Sequence, residues 1–478
     1  MLALLLILIP FITGFAAFFI KNEKTVRLWA LAASLAALIV SVVSLYHQDN
    51  FHSTFSREWL PDLGSSFSLG LDGMGRMLTL LTTIAFPVIF IATYRSAYKD
   101  SNQFFGLMLL SQAGLLGVFL ATDLLLFYFF WELALIPVYF LSSKWGGERR
   151  IQVTFKFFIY TFLGSLIMLI AILYLYTLNP EKSFAMSSIY KVQLNGKGQD
   201  ILFWMMFLAF AIKMPIFPFH TWQPDTYEQS PTATTMVLSG IMVKMGLFAV
   251  VRWLLPIFPL AVKSNDNIVI GLSVVGMIYA SCIAIVQDDL KRLVAYSSIA
   301  HIGLMCAALF AGKVNGIQGV MVQMFNHGIN IIGLWIVVEL IERQFGTRKM
   351  SELGGIAQKA PALAISLVII ALANVALPLT NAFVGEFLMF SGLFQFNVWY
   401  AVVALISIIL AAVYTLNMIQ KVFYGNTNAV TEKAVDIQWS EKLVLGVLVI
   451  IIFAMGFYPK PMIELTKTSV EALVSVFK

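Results

Sequence analysis

Stretches of about twenty apolar residues recur along this chain, the length a helix needs to cross a bilayer. Fourteen can be drawn: 2–20, 28–46, 72–94, 104–121, 124–142, 154–177, 201–218, 232–256, 267–286, 293–311, 316–341, 361–394, 399–421 and 443–459. Lipid offers backbone amides no partner, so such segments must close their hydrogen bonds internally, as helices. The totals agree. Of 478 residues, 60% are hydrophobic and 12% charged, against about 45–50% and about 25% in soluble domains. The sequence predicts an all-α polytopic membrane protein. Its longest loops, near 47–71, 178–200 and 422–442, are too short for a soluble domain. The last segment, 460–478, reads as amphipathic and surface-lying.

Other classes fall away. The net charge of +6 comes from basic residues in short loops between apolar spans, which is no nucleic-acid signature. The two cysteines, Cys282 and Cys306, sit in apolar segments and indicate neither a disulfide framework nor a metal site. Five histidines (His47, His52, His220, His301, His327) include no close ligand pair, so no metal site is expected. The opening MLALLLILIPFITGFAAFFIK lacks a basic start and a small-residue cleavage site, and is read as a retained first span. With the N-terminus outside, the odd-numbered loops hold most of the basic residues, among them Lys21, Lys24, Arg27, Lys144, Arg149, Arg150, Arg343 and Arg348. The positive-inside rule then predicts both termini on the outer side.

Four ionisable residues are each embedded in a long apolar stretch: Glu132, Lys213, Lys244 and Glu386. A charge at the centre of a membrane helix is unfavourable by roughly 2.5–3.5 kcal/mol on insertion scales. Two acids and two amines so placed point to an ion or proton path. Glu132 follows eight apolar residues and precedes Pro137, which frees a nearby carbonyl. Burial opposes the charge of an acid or an amine and each restores the other's, so a Glu–Lys pair can pass a proton near neutral pH. The plainer alternative is a static interhelical salt bridge. Lys213 opens KMPIFPFHTW, where Pro215 and Pro218 leave unpaired carbonyls that are tolerable at depth only beside water or protein. Its alternative is snorkelling to the interface.

Lys244 lies mid-span between Gly240 and Gly246, with Arg252 two turns further along roughly the same face. Those glycines also suit helix packing. Glu386 comes eight residues after Pro378, which interrupts a span too long for one helix. A carboxylate beyond a helix break can meet both water and a half-helix end, which makes it a candidate terminal relay. His220, His301 and His327 each have polar neighbours and could connect the sites, since imidazole accepts one proton while donating another. A two-histidine haem is the alternative, though no electron-transfer motif accompanies it. The charged, proline-broken spans at 201–218 and 361–394 stand five spans apart, the pattern of an inverted-repeat transporter.

FWELALIPVYFL, AFAIKMPIFPFHTWQPDTYEQSPTATTMVLSGIMVKMG, DDLKRLVAYSSIAHIG, NHGIN and NAFVGEF together resemble the antiporter-like subunits of proton-pumping NADH:quinone oxidoreductase, respiratory complex I. They cover most of the chain from about 120 to 390. The resemblance implies fourteen helices with two inverted five-helix repeats, helices 4–8 and 9–13, and broken helices 7 and 12. The corresponding division is 1–103 for helices 1–3, 104–256 and 257–421 for the repeats, and 422–478 for helix 14 and the amphipathic end. By the same resemblance Glu132 and Lys213 form the family's acid–lysine pair. Lys244 passes protons laterally and Glu386 is the terminal residue. His220, His301 and His327 occupy polar positions on the central axis; from its place near the face of Lys244, Arg252 is read together with these histidines as a secondary relay. Most antiporter-like subunits are expected to carry lysine where Glu386 stands. The family's usual Pro-Gly break on helix 12 is here Leu377-Pro378-Leu379-Thr380-Asn381-Ala382, which predicts a stiffer break.

The expected function is proton translocation along the buried Glu/Lys/His residues, driven by redox energy from partner subunits. No nucleotide loop or iron–sulfur cysteine pattern is present in this chain. The resemblance implies flavin mononucleotide (FMN), iron–sulfur clusters and quinone in partner subunits, and no cofactor is expected here. Those partners would be other membrane-arm subunits, including further antiporter-like ones, within the lipid bilayer of a bacterial inner (plasma) membrane rather than a mitochondrial one. Three rivals share the architecture: an Mrp-type cation/proton antiporter subunit, the membrane subunit of a hydrogenase- or formate-linked complex, and a scaffold that moves no ions.

Overall fold

The structure is a computed structural model that describes residues 1–46 and 55–475; His47, His52 and Lys478 lie outside the described residues. The helices that matter are α1 (Leu2–Ala17), α2 (Glu23–Tyr46), α3 (Gly73–Ala92), α4 (Ser101–Leu120), α5 (Leu124–Trp145) and α6 (Arg150–Leu178). They continue with α7 (Gly196–Lys213), α8 (Thr232–Ile257), α9 (Pro259–Val286), α10 (Leu290–Phe310) and α11 (Val314–Phe345). The last five are α12 (Pro361–Asn374), α13 (Asn381–Phe396), α14 (Val398–Phe423), α15 (Trp439–Phe457) and α16 (Lys460–Ser475).

Among the described residues, 11 helices are long and apolar enough to cross a membrane. The other three expected spans are present in altered form, each for a physical reason. α1 has only 16 residues. α7 carries Lys197, Asp200 and Lys213 within its 18 residues. The span drawn at 361–394 is two helices, α12 and α13, parted around Pro378.

Among the described residues a short hairpin departs from the helical pattern. Residues Phe55–Leu60 (β1) and Ser65–Leu69 (β2) pair as an antiparallel hairpin. Asp123, the N-cap of α5, ties it down: its carboxylate accepts from Ser65 Oγ (2.9 Å) and Ser66 N (3.0 Å) as well as from Leu125 N and Leu126 N. One carboxylate thus caps a helix and anchors a hairpin.

The helices cluster into two units, Met1–Met214 with Gln229–Asp266 and Leu465–Lys478, and Pro215–Glu228 with Asn267–Glu464. In the first unit α8 is wholly buried, while α2 and α6 leave apolar residues such as Ile39, Leu163 and Ile170 exposed. In the second, α10 and α11 are the buried helices, and α14 and α15 expose Ile409, Leu416 and Ile450. Apolar side chains outside and polar ones inside is the arrangement a bilayer imposes. α16 bears exposed Lys467 and Glu471 on one face and buries Thr466 and Val470 on the other, so the amphipathic reading of this segment stands.

Small residues set the closest approaches, as expected where lipid supplies no hydrophobic drive. A side chain at Gly392 of α13 would place its Cβ 2.5 Å from the Gly316 Cα of α11. That contact brings α13, which carries Glu386, onto α11, which carries His327.

Candidate functional site

In the first unit Lys213 is the last residue of α7, which ends there because Pro215 cannot continue it. A cation at a helix C-terminus faces the favourable end of the dipole. The side chain is buried and its Nζ has no hydrogen-bond partner. Nζ lies 5.5 Å from the ring centre of Trp131 and 6.0 Å from that of Phe157, so aromatic faces take the place of water around the ammonium. Its electrostatic partner is Glu132, on the next turn from Tyr128, and both of these side chains meet Ser165. Glu132 is half-buried, with Oε1 sealed and unpaired, beside a cavity of about 260 Å³ lined by Trp59, Tyr128, Phe129 and Ile136. The pair is thus within electrostatic reach but not locked in a hydrogen-bonded salt bridge, a looser arrangement than the static alternative requires.

Lys244 is fully buried, and its Nζ donates to Ser239 O at 2.7 Å. It sits on a short α-helical stretch of α8 between two π-helical ones, Leu238–Met242 and Val250–Leu254. π-helical turns are rare and concentrate at functional sites. Gly246, half a turn on, admits α7: a Cβ there would fall 2.8 Å from Phe210 O and 2.9 Å from Met214 N. The helix that carries Lys244 is therefore packed, through Gly246, against the end of α7 that bears Lys213.

Arg252 is held in a buried ion pair. Its Nη2 contacts Asp72 Oδ1 at 2.6 Å, both side chains being buried, and its guanidinium lies 5.0 Å from the ring centre of Phe248. Tyr190 OH donates to its carbonyl. Asp72 is the N-cap of α3 and also accepts from Gly75 N at 2.9 Å. Sequence reasoning missed Asp72; a carboxylate opening a span one turn before Arg76 was the available signal.

In the second unit His301 Nδ1 lies 3.1 Å from Glu386 Oε1, and Gln323 Nε2 donates to the same oxygen at 3.4 Å. The His301 and His327 rings are 5.4 Å apart. The structure thus brings these three predicted residues together in one buried cluster. His220, on the segment after the α7 break, stacks near Phe217 and lies 5.4 Å from Tyr279, with Nδ1 unpaired. That segment is pinned by Asp225 and Glu228 to Arg292 at 3.1 and 2.9 Å, and by Glu228 to Arg348 at 3.2 Å.

The break between α12 and α13 is held by amides. Asn330 and Asn381 exchange side-chain hydrogen bonds at 3.0 Å in both directions, and Asn326 Nδ2 donates to Asn381 O at 2.7 Å. Ala376 and Leu379 take φ of 57° and 74°, left-handed values that a non-glycine residue resists. Leu379 is 59% exposed, so its side chain contributes little packing. Leu379→Gly should therefore stabilise the purified protein by about 1 kcal/mol, the scale of a left-handed penalty less glycine's chain entropy. A rise in the detergent melting temperature checks this; a fall would show that the side chain packs more than its exposure indicates.

Comparisons with known proteins agree with this architecture. Residues 121–411 match the sequence profile described as NADH:quinone oxidoreductase/Mrp antiporter, TM. NADH-quinone oxidoreductase subunit M of Rickettsia prowazekii is 35% identical over 472 residues, covering 96% of this chain and 95% of the relative. A chain of respiratory complex I from Thermus thermophilus with bound NADH superposes with TM-score 0.92 at 27% identity, over 100% of both chains. A chain of the Mrp complex from Dietzia sp. DQ12-45-1b shares the fold, with TM-score 0.86 at 21% identity, over 98% of this chain and 52% of that one. With a profile spanning most of the buried charges and a relative alignable almost end to end, this multi-pass chain belongs to the NADH:quinone oxidoreductase/Mrp antiporter transmembrane family.

Proposed function

We propose that this chain is a proton-translocating membrane-arm subunit of an NADH:quinone oxidoreductase, of the chain M type that corresponds to mitochondrial subunit 4. The observation that carries the reading is the burial of Lys213, Lys244 and Glu386 inside protein, each 5% exposed or less, in a chain whose outside is apolar. Intramembrane ionisable groups kept from lipid in this way are the usual parts of proton relays. In this reading Glu132 sets the charge state of Lys213, Lys213 exchanges with Lys244, and the histidines lead to Glu386, which exchanges with one membrane face. Helices 4–8 and 9–13 act as inverted five-helix repeats. A glutamate at 386, rather than lysine, favours the chain M type.

Each proton moved against 100 mV requires about 2.3 kcal/mol. The reading assigns that drive to partner subunits holding FMN, iron–sulfur clusters and quinone, with no redox chemistry in this chain. The setting is a bacterial inner membrane, with both termini on the outer side and further antiporter-like subunits alongside. Purification from the native membrane in mild detergent tests this. Flavin and iron–sulfur subunits should accompany the chain. A set of antiporter subunits alone, with cation-dependent proton exchange and no NADH oxidation, would overturn it in favour of an Mrp-type antiporter.

A further inference from the structure

A small cavity adjoins Glu386, with about 20 Å³ of space for a water centre, lined also by His301, Ser407, Ala411 and Tyr414. A polar site of about 10–15 Å³ suffices for a buried water, provided two to four polar groups hold it. Ser407, Ala411 and Tyr414 recur at i, i+4 and i+7 on α14, so they share one face. The two small residues make the room and the tyrosine closes its end.

The hydrogen bonds around the cavity are directional. Both contacts to Glu386, from His301 and Gln323, fall on Oε1, which leaves Oε2 for the cavity. Tyr414 OH donates to Ser297 Oγ at 3.1 Å, an oxygen that also accepts from Asn374 Nδ2 at 3.1 Å. Ser407 Oγ donates to Ala404 O at 2.7 Å. Both hydroxyl protons are thus committed elsewhere, and each hydroxyl offers the cavity its lone pairs.

From this we infer that the cavity is a water site and that Tyr414 is a positioning residue for proton exchange at Glu386. A water that donates to Tyr414 and Ser407 turns its own lone pair toward Glu386. When the carboxyl is protonated, its O–H bond breaks as a bond forms to that water. The two hydroxyl oxygens steady the resulting hydronium, which releases a proton when one of its hydrogen bonds to them breaks and that O–H turns to an outer water; reprotonation reverses these steps. This rests on the proposed proton-translocating function and adds to it a ligand, one water molecule, and a residue that orients it.

The test uses the assembled complex in vesicles, with NADH-driven proton translocation followed against pH. Tyr414→Phe keeps the ring but removes the acceptor oxygen; Ala411→Val fills the cavity without touching a polar atom. Each should slow translocation about two- to tenfold, the fold-change that corresponds to one net hydrogen bond, and should shift its pH profile while subunit content stays normal. Wild-type rate and profile in both variants would overturn the inference, provided Glu386→Gln does not pump. Normal pumping by Glu386→Gln would instead overturn the proposed function itself. Should Tyr414→Phe fail to assemble, Ala411→Val decides alone.

Discussion

Lys213→Met assembles into the complex but moves protons about a hundredfold more slowly, or not at all. Methionine preserves the length and apolar stem that fill the space between Trp131 and Phe157, so packing changes little. The substitution removes the one group there that can hold and release a proton, and losing a proton-transfer group is typically worth about 10²–10⁴ in rate. Glu132 also loses its electrostatic partner. Lys213→Arg separates charge from proton transfer: the guanidinium keeps the positive charge but does not deprotonate. It should fail as a pump even where it assembles as well as the parent. Proton uptake by vesicles, normalised to complex quantified on native gels, gives both results. A pumping Lys213→Arg variant would mean that only the charge matters at this position, and the relay role of Lys213 would fall.

Glu386→Gln is the second expected null, and its reason is different. Glutamine fits the site and its carbonyl can still accept from His301, so the local fold survives. It has no proton to release, and translocation should fall about a hundredfold or more. Glu386→Asp retains the ionisable group but retracts it from His301, and should keep part of the activity. Lysine, expected at this position in sibling subunits, should not substitute: it would face the Gln323 amide and His301 Nδ1 as donor to donor. Vesicle pumping with the three variants decides among these expectations. Full activity in Glu386→Lys would show that charge sign at the terminal position is irrelevant.

The sites that sequence revealed were those where a charge interrupts apolar residues. Glu132, Lys213, Lys244 and Glu386 stand out because each is unfavourable in lipid, and the helix ends at Lys213 and Asn374 follow from nearby prolines. What stayed hidden depends on partners distant in the chain. Asp72 sits at the edge of an apolar run beside glycines and reads as an interfacial residue; its partner Arg252 is 180 positions away. Tyr414 looks like any aromatic residue in a span, and only Ser297, 117 residues earlier, gives its hydroxyl a direction. The π-helical stretches flanking Lys244 have no composition of their own. The hairpin at 55–69 is too short and polar to separate from a loop until Asp123 is seen to anchor it. The reciprocal Asn330–Asn381 pair shows how a break without glycine is held.

The account's central claim is that protons travel through this chain's own buried side chains. Lys244→Met reaches it most directly, because Lys244 is fully buried within the protein. The deciding measurement is the rate of NADH-driven proton translocation per assembled complex in sealed vesicles, variant against parent. The account predicts normal assembly with translocation reduced to a few per cent or less, in line with about 10²–10⁴ for a lost proton carrier. Undiminished translocation by a fully assembled Lys244→Met complex would contradict it.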